Sequence, residues 1–421
     1  MNFYHETFVI AALPIIILDI LTVCGIKRLC PKFASRHRRG IRYAFIFQSI
    51  LSISILIVGY FYHRQIVNYR LFAWYYYFFG GIVALYIPKT IFVLFLIFDR
   101  ILAAFSKLYR RWFDKFPRGS RRIFSRIGVW TSIIFACVIL WGILFGRNMI
   151  RVDHVEILVD DLPNAFHGYK IVQISDIHAG SFARSTKYFQ KAVDLINRQE
   201  ANLIVFTGDM VNNFADEITP LIPVFSQLKV PDGKYAVLGN HDYGGYSDWN
   251  HPDDSIANHE ALINAIGQMG FTLLNNKSAV ISRYNSDRMA LIGIENWGMK
   301  KRFPKQGNLE KAMEPIRDIS LKVLLAHDPS VWHEQVEGKT NIVLTLSGHT
   351  HGMQMGMKLK GKYFGPASLI RFDHLAGLYQ TDKQYLYVNR GLGVIGFPGR
   401  IGMLPEITVI SLWKAKSPEQ E

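Results

Sequence analysis

The chain has 421 residues and a formal net charge of +15, room for one large domain and a further region. The charge is confined to one end: 20 of the 48 Lys and Arg but only 4 of the 33 Asp and Glu lie in residues 1–150. The remaining residues are close to neutral and offer no basic field to collect phosphodiester backbones, so no nucleic-acid partner is expected.

An apolar stretch from Phe8 to about Gly25 is long enough to cross a hydrocarbon core of about 30 Å at about 1.5 Å per residue. It does not read as a cleaved signal peptide, because residues 1–7 carry no Lys or Arg and the basic residues follow the apolar run. Further spans are predicted over about 41–62, 71–98 and 129–145. Residues 1–150 therefore read as an all-α membrane region of about four transmembrane helices. The first loop carries Lys27, Arg28, Lys32, Arg36, Arg38 and Arg39 with Arg42 at its end, and the third Lys107, Arg110, Arg111, Lys115, Arg118, Arg121, Arg122 and Arg126. The second has only Arg64 and Arg70. Basic loops stay on the cytoplasmic side. With four spans, the domain beginning near Arg151 is then expected outside the inner (plasma) membrane.

Two ionisable residues interrupt the predicted spans at similar depth, Asp19 in the first and Lys89 in the third. An intramembrane ion pair is one reading; a Lys89 that snorkels beside Pro88 is the other. All three cysteines, Cys24, Cys30 and Cys137, lie in this part, so any metal further along must be held by oxygen and nitrogen.

Beyond Arg151 short apolar runs alternate with amphipathic segments such as 188–198 and 260–269, the pattern of an α/β domain. Each of five runs ends in a polar cluster. The run at 170–175 leads to Asp176-Ile177-His178, that at 202–207 to Gly208-Asp209, and that at 235–238 to Gly239-Asn240-His241-Asp242. The run at 321–326 leads to His327-Asp328, and that at 342–346 to Ser347-Gly348-His349-Thr350-His351-Gly352. The C-terminal edge of a sheet is where α/β domains gather functional loops. Asp176, His178, Asp209, Asn240, His327, His349 and His351 form a sulfur-free set suited to Mn²⁺, Fe or Zn²⁺ and too rich in nitrogen for Ca²⁺ or Mg²⁺. Seven ligands exceed the needs of one ion; two divalent ions sharing a carboxylate would use them all.

D-x-H, G-D, G-N-H-D, a single H and G-H-x-H, in that order, resemble the signature of the calcineurin-like metallophosphoesterases. The resemblance extends over about residues 154–412 and is greatest to the bacterial membrane-anchored branch, through Gly391-Leu392-Gly393, Phe397-Pro398-Gly399-Arg400 and Pro405-Glu406-Ile407. It implies a four-layer αββα sandwich over 151–412, followed by a polar tail at 413–421. It also implies that Asp176, His178 and His351 hold one ion, that Asn240, His327 and His349 hold the other, and that Asp209 bridges both, with Mn²⁺ favoured. His241 would face the phosphate, protonating the leaving oxygen or stabilising phosphoryl charge, and a metal-activated hydroxide would attack. Asp242 is assigned to orienting His241 by accepting its other N–H, with capping of the next turn as the alternative. Met353 stands where the branch often has Gly.

Candidate substrate walls are 243–259, with Trp249, His251, Asp253 and Asp254; 355–378, with Lys358, Lys360 and Lys362; and Arg400. His251 and His259 read as surface histidines rather than ligands, and the lysines as a solvated face. A membrane tether raises the effective concentration of lipid head groups over soluble esters. The expected activity is therefore hydrolysis of phosphoester or pyrophosphate bonds of lipid or cell-envelope substrates. Two alternatives stay open: a general phosphodiesterase or phosphomonoesterase that is merely tethered, and a non-catalytic metal-binding sensor or scaffold. The last is disfavoured because every ligand position and His241 are filled.

Overall fold

The computed structural model describes residues 2–62, 69–109, 122–182, 186–284, 287–298, 305–365 and 373–415. The loop residues Arg64, Arg110, Arg111, Lys115, Arg118 and Arg121, residues 366–372 of the 355–378 loop and the tail from 416 lie outside them. The chain divides into two compact units, one of Met1–His63 and Tyr75–Ile143, the other of Arg64–Trp74 and Leu144–Glu421.

The first unit is helical: α1 (Asn2–Leu29), α2 (Pro31–Arg36), α3 (Arg38–Tyr62), α4 (Tyr69–Tyr109) and α5 (Ile123–Leu144). Its large apolar side chains point outward, as Ile20, Phe47, Ile50, Trp130 and Ile134 do, which water would not tolerate and lipid does. Among the described residues three helical stretches are long and apolar enough to cross a membrane: Arg38–Gly59, Ala73–Tyr109 and Ile123–Asn148. The first expected span, about 8–25, lies in α1, whose side chains are described only from residue 12, and is not in that set.

Asp19 and Lys89 meet at 2.5 Å. The Asp19 carboxylate also accepts from Tyr86 Oη at 2.8 Å and Ser49 Oγ at 2.6 Å, and Gln48 Nε2 donates to Tyr86 Oη at 3.0 Å. A second buried acid escaped the sequence reading, which ended the third span at Phe98. Helix α4 runs on to Tyr109, and Asp99 accepts from Ser125 N at 2.9 Å and from Ser125 Oγ, capping the start of α5.

The second unit is a four-layer sandwich. One six-stranded sheet has the order β1 (Arg151–Val159), β14 (Glu406–Lys414), β2 (Tyr169–Ile174), β3 (Leu203–Thr207), β4 (Lys234–Val237) and β5 (Phe271–Leu273). The other has the order β12 (Gly377–Thr381), β13 (Gln384–Val388), β9 (Leu344–Ser347), β8 (Leu321–Leu325), β7 (Arg288–Gly293) and β6 (Lys277–Ser282). Strands β2, β3 and β4 are mutually parallel, as are β8 and β9. Runs such as Leu203-Ile204-Val205-Phe206-Thr207 are buried at every position, which demands cover on both faces of the sheet. Leu203, Val205 and Val237 face Leu291, Val323, Leu325 and Leu346 between the sheets. Phe206 and Ile204 pack on the other side under α6 (Thr186–Asn197), α7 (Ile222–Phe225) and α8 (Pro252–Gln268). Tyr188, Phe189, Ala192, Val193 and Ile196 form the apolar stripe of α6 that rests there. A third core joins the second sheet to α9 (Leu309–Met313) and Trp332. Each fully buried Leu, Ile or Phe contributes about 1.5–3 kcal/mol, so the sandwich is a stiff platform for its strand ends. The expected tail begins inside structure, since β14 continues to Lys414. A small antiparallel hairpin, β10 (Met357–Leu359) and β11 (Lys362–Phe364), stands apart from both sheets.

Candidate metal centre

The five polar clusters converge because the parallel strands that carry them end at one edge. Gln173 of β2 ties the two sheets together at that edge, donating to the Ser347 carbonyl at 2.9 Å and Thr207 Oγ1 at 3.0 Å. The loops then turn sharply. Asp176, His178, Asp209, His349 and His351 have φ of 47°, 44°, 61°, 71° and 53°. These left-handed conformations cost about 1–3 kcal/mol each in non-glycine residues and place side chains where a regular loop would not. Two glycines make room. A Cβ on Gly208, itself at φ 94°, would sit 2.7 Å from Gly239 N, and one on Gly348 would overlap Asp176 Oδ2.

Two ligand groups result. The ligand atoms of Asp176, His178 and His351 lie within 4.8 Å of one another, and so do those of Asp209, His327 and His349. In the first, His178 Nε2 faces His351 Nε2 at 2.9 Å, and His351 Nε2 lies 3.2 Å from Asp176 Oδ1. In the second, His349 Nδ1 faces His327 Nε2 at 3.2 Å. Two nitrogens bonded to one cation at about 2.1 Å each stand about 3.0 Å apart at a right angle and about 3.4 Å apart at the tetrahedral angle. Asp209 Oδ2, 3.1 Å from His327 Nε2 in its own group, also lies 3.6 Å from His178 Nε2 of the first. Asn240 gives its Nδ2 to Tyr246 Oη at 2.9 Å and leaves Oδ1 buried without a partner, a donor set short of a cation. The residues fit two divalent ions.

The charge states of His178, His349 and Asp176 agree. Burial, then the neighbouring His351 and His241, hold His178 well below the ordinary imidazole range, and burial lowers His349 and His241; the neutral ring is the form that ligates. Burial would raise the Asp176 carboxyl, but His351 and then His327 draw it down to about 2. Burial would lower His327, yet the Asp209 carboxylate lifts it to about 10; a cation arriving there competes with that proton. His327 Nδ1 donates to the Thr207 carbonyl at 2.8 Å, which fixes the tautomer and leaves Nε2 as the ligating atom.

His241 stands beside this centre, its ring 4.8 Å from that of His178 and stacked on Tyr246 at 4.1 Å. Its Nδ1 donates to the Asn212 carbonyl at 2.7 Å. A carbonyl only accepts, so this bond gives Asn212 the orienting role expected of Asp242. The Asp242 carboxylate instead accepts from the backbone N–H groups of Asp209, Met210 and Gly239 at 2.9, 2.8 and 2.9 Å, and of Val211 at 3.3 Å. It holds the Gly208-Asp209 loop against the Gly239-Asn240 loop and does not reach the His241 ring. Glu217 repeats the device, accepting from Gly180, Asn212, Asn213 and Phe214 at 2.6–3.0 Å. Burial raises its carboxyl to about 7 against the pull of those donors.

Arg400, expected to wall the substrate, is fully buried. It donates to the carbonyls of His351, Gly391, Gly393 and Met403 and so fixes the loop of the last ligand. His251 is the residue that caps the start of α8, and His259 Nδ1 donates to the Asp242 carbonyl at 3.3 Å; neither joins a ligand group. Met353 has φ 52°, which explains the branch's preference for glycine there, and it packs against Tyr363, Leu375 and Met403.

A family model described as calcineurin-like phosphoesterase matches residues 169–353, and one described as probable calcineurin-like phosphoesterase, transmembrane domain, matches residues 5–147. An uncharacterized metallophosphoesterase, YkuE, of Bacillus subtilis is 31% identical over 271 residues, 63% of this chain and 86% of that one. The chain belongs to the calcineurin-like phosphoesterases. Danio rerio has a transmembrane protein with metallophosphoesterase domain that is 30% identical over 67% of this chain and 62% of its own length. UDP-2,3-diacylglucosamine pyrophosphatase LpxG of Chlamydia trachomatis is 27% identical over 64% of this chain and 93% of its own length. Like the rest of the calcineurin-like phosphoesterases, the chain is a metal-dependent phosphoester hydrolase that uses two divalent metals, and its transmembrane region makes it a membrane protein.

Proposed function

We propose that the protein is a membrane-anchored, dinuclear hydrolase of phosphoester or pyrophosphate bonds in lipid or cell-envelope molecules, its hydrolase domain starting near residue 151 on the outer side of the inner membrane. Asp176, His178 and His351 hold one ion, Asn240, His327 and His349 the other, and Asp209 joins them. The observation that carries this reading is the Asp209 oxygen lying 3.1 Å from His327 Nε2 and 3.6 Å from His178 Nε2, between two nitrogen pairs, with His241 alongside. Bound there, two transition-metal ions, of which Mn²⁺ suits the mixed donor set, supply an acidified water and neutralise phosphoryl charge.

The chain's own residues do the rest. With Nδ1 held by the Asn212 carbonyl, His241 exchanges its proton through Nε2 alone. An anionic phosphoryl group beside the ring favours the protonated form, and that proton goes to the leaving oxygen. Asp242, Glu217 and Arg400 bind no substrate; they hold the loops that carry Asp209, Asn212 and His351.

The lipid assignment is supported by the tether, which concentrates membrane-borne esters around the centre, and by the relative named for a diacylated pyrophosphate substrate. The outer location follows from the basic first and third loops. The full chain loaded with Mn²⁺ is to be offered phospholipids, lipid pyrophosphates and nitrophenyl mono- and diesters. Turnover of a lipid class ahead of the nitrophenyl esters is expected; turnover of nitrophenyl esters alone would establish a tethered general esterase instead. A reporter fused at the C-terminus that is active only in the cytoplasm would reverse the orientation.

A further inference from the structure

The hairpin β10–β11 begins where the last ligand loop ends. Gly356 N donates to the Ile401 carbonyl at 2.9 Å, beside Arg400, so the base of the hairpin is fixed to the same segment that fixes His351. Met357 pairs with Phe364, Lys358 with Tyr363, and Leu359 with Lys362. The turn residues Lys360 and Gly361 have φ of 46° and 82°, the pair of left-handed positions of a tight two-residue hairpin turn. The tip is therefore held in one shape.

Side chains alternate across such a ribbon, and its two faces differ in kind. On one, Tyr363 is buried with the Arg390 guanidinium 4.8 Å over its ring, and Lys358 Nζ covers it at 5.0 Å. That face fastens the hairpin to the domain. On the other, Met357, Leu359 and Phe364 stand 57%, 52% and 47% exposed, beside Lys362. A solvated face explains the lysines and leaves the three large apolar side chains unexplained, since a ribbon open to water carries polar residues on its outer side. Residues 355–364 hold Lys358, Lys360 and Lys362 and no acid. Apolar prongs ringed by lysines are the chemistry of a surface that lies in the boundary between lipid head groups and acyl chains, and the positive charge selects an anionic one.

We propose that the β10–β11 hairpin is an interfacial prong that seats Met357, Leu359 and Phe364 in the head-group boundary of an anionic bilayer, with Lys360 and Lys362 on lipid phosphates. The part it plays in catalysis rests on the lipid reading above: it brings the metal centre to the level at which a lipid carries its phosphoester. The tether supplies the encounter, and the hairpin fixes the depth.

The test uses the full chain with Cys24, Cys30 and Cys137 changed to Ser and Leu359→Cys labelled with an environment-sensitive fluorophore. It is placed in nanodiscs of phosphatidylglycerol with phosphatidylcholine, in nanodiscs of phosphatidylcholine alone, and in detergent. The expected result is a blue-shifted emission, quenched by lipids brominated near the head group, in the anionic discs, with the shift lost in Lys360→Glu/Lys362→Glu. Quenching by aqueous iodide in both kinds of disc would overturn the proposal. Shielding from iodide without quenching by the brominated lipids would overturn it too, by showing that protein, either this chain or a second copy, covers the face. In Met357→Ser/Leu359→Ser/Phe364→Ser, the ratio of lipid-borne to nitrophenyl turnover is expected to fall about tenfold, the proximity lost; an equal fall of both rates would mean structural damage and refute the catalytic part. Bromolipid quenching in a protein that turns over nitrophenyl esters but no lipid would leave the prong standing and sink the lipid reading alone.

Discussion

Two buried polar clusters, one in each unit, close in opposite ways. In the membrane unit Asp19, Lys89, Tyr86, Ser49 and Gln48 answer one another, one anion to one cation with hydroxyls and an amide filling in. At the strand ends nitrogen faces nitrogen, His178 against His351 and His327 against His349, while Asn240 Oδ1 and His178 Nδ1 have no partner. The first cluster is complete as the chain makes it. The second needs cations. Buried charge that satisfies itself reads as architecture, and buried donors that converge without doing so read as chemistry.

Substitutions sharpen that contrast. Asp209→Ala removes the carboxylate proposed to serve both cation positions, so activity should fall to background and the metal content, measured by plasma mass spectrometry, should drop with it; full metal content would contradict the shared role. His241→Ala should lower kcat by about 10²–10⁴ yet leave the metal content intact, since its ring is beside the centre and outside both groups. In the membrane unit, Asp19→Asn or Lys89→Met alone should destabilise by about 2.5–3.5 kcal/mol, the cost of an unpaired charge in mid-membrane, read from thermal unfolding in detergent. The double change Asp19→Leu/Lys89→Met should recover most of it. A double variant as unstable as the singles would mean that the pair has a use beyond its own neutralisation. The smallest effect on kcat is expected for Glu217→Ala, which leaves four backbone N–H groups without their acceptor, at about 1–3 kcal/mol for each that water does not reach, and should lower Tm. Its loss of kcat should follow the freed Asn212 carbonyl and exceed any change in KM.

The convergence of Asp176, His178, Asp209, His327, His349 and His351 was legible because each closely follows an apolar run, and a run's end predicts a place at a sheet's edge. The sandwich was legible for a related reason: strands such as Leu203–Thr207, apolar throughout, must be covered twice. What escaped the sequence depends on side chains that bond to backbone. Asp242 and Glu217 each gather four N–H groups from loops whose conformations have no period, so neither has a pattern to find. Arg400 misled for the same reason, since a motif arginine near a phosphate site suggests a substrate contact and its carbonyl partners are set by the fold. Asp99 was missed because a charge ends an apolar window even where it caps the start of the next helix.

Asp209 has one more consequence. On the proposed assignment a single carboxylate belongs to both cation positions, so loading of one alters the charge and orientation that the other meets. Linkage makes such an influence reciprocal: whatever factor the first occupant applies to the affinity of the second, the second returns to the first. Titration of the protein with Mn²⁺ should accordingly depart from two independent isotherms, and in Asp209→Asn, where the amide has half the lone-pair capacity and no charge, whatever binding survives should lose that interdependence.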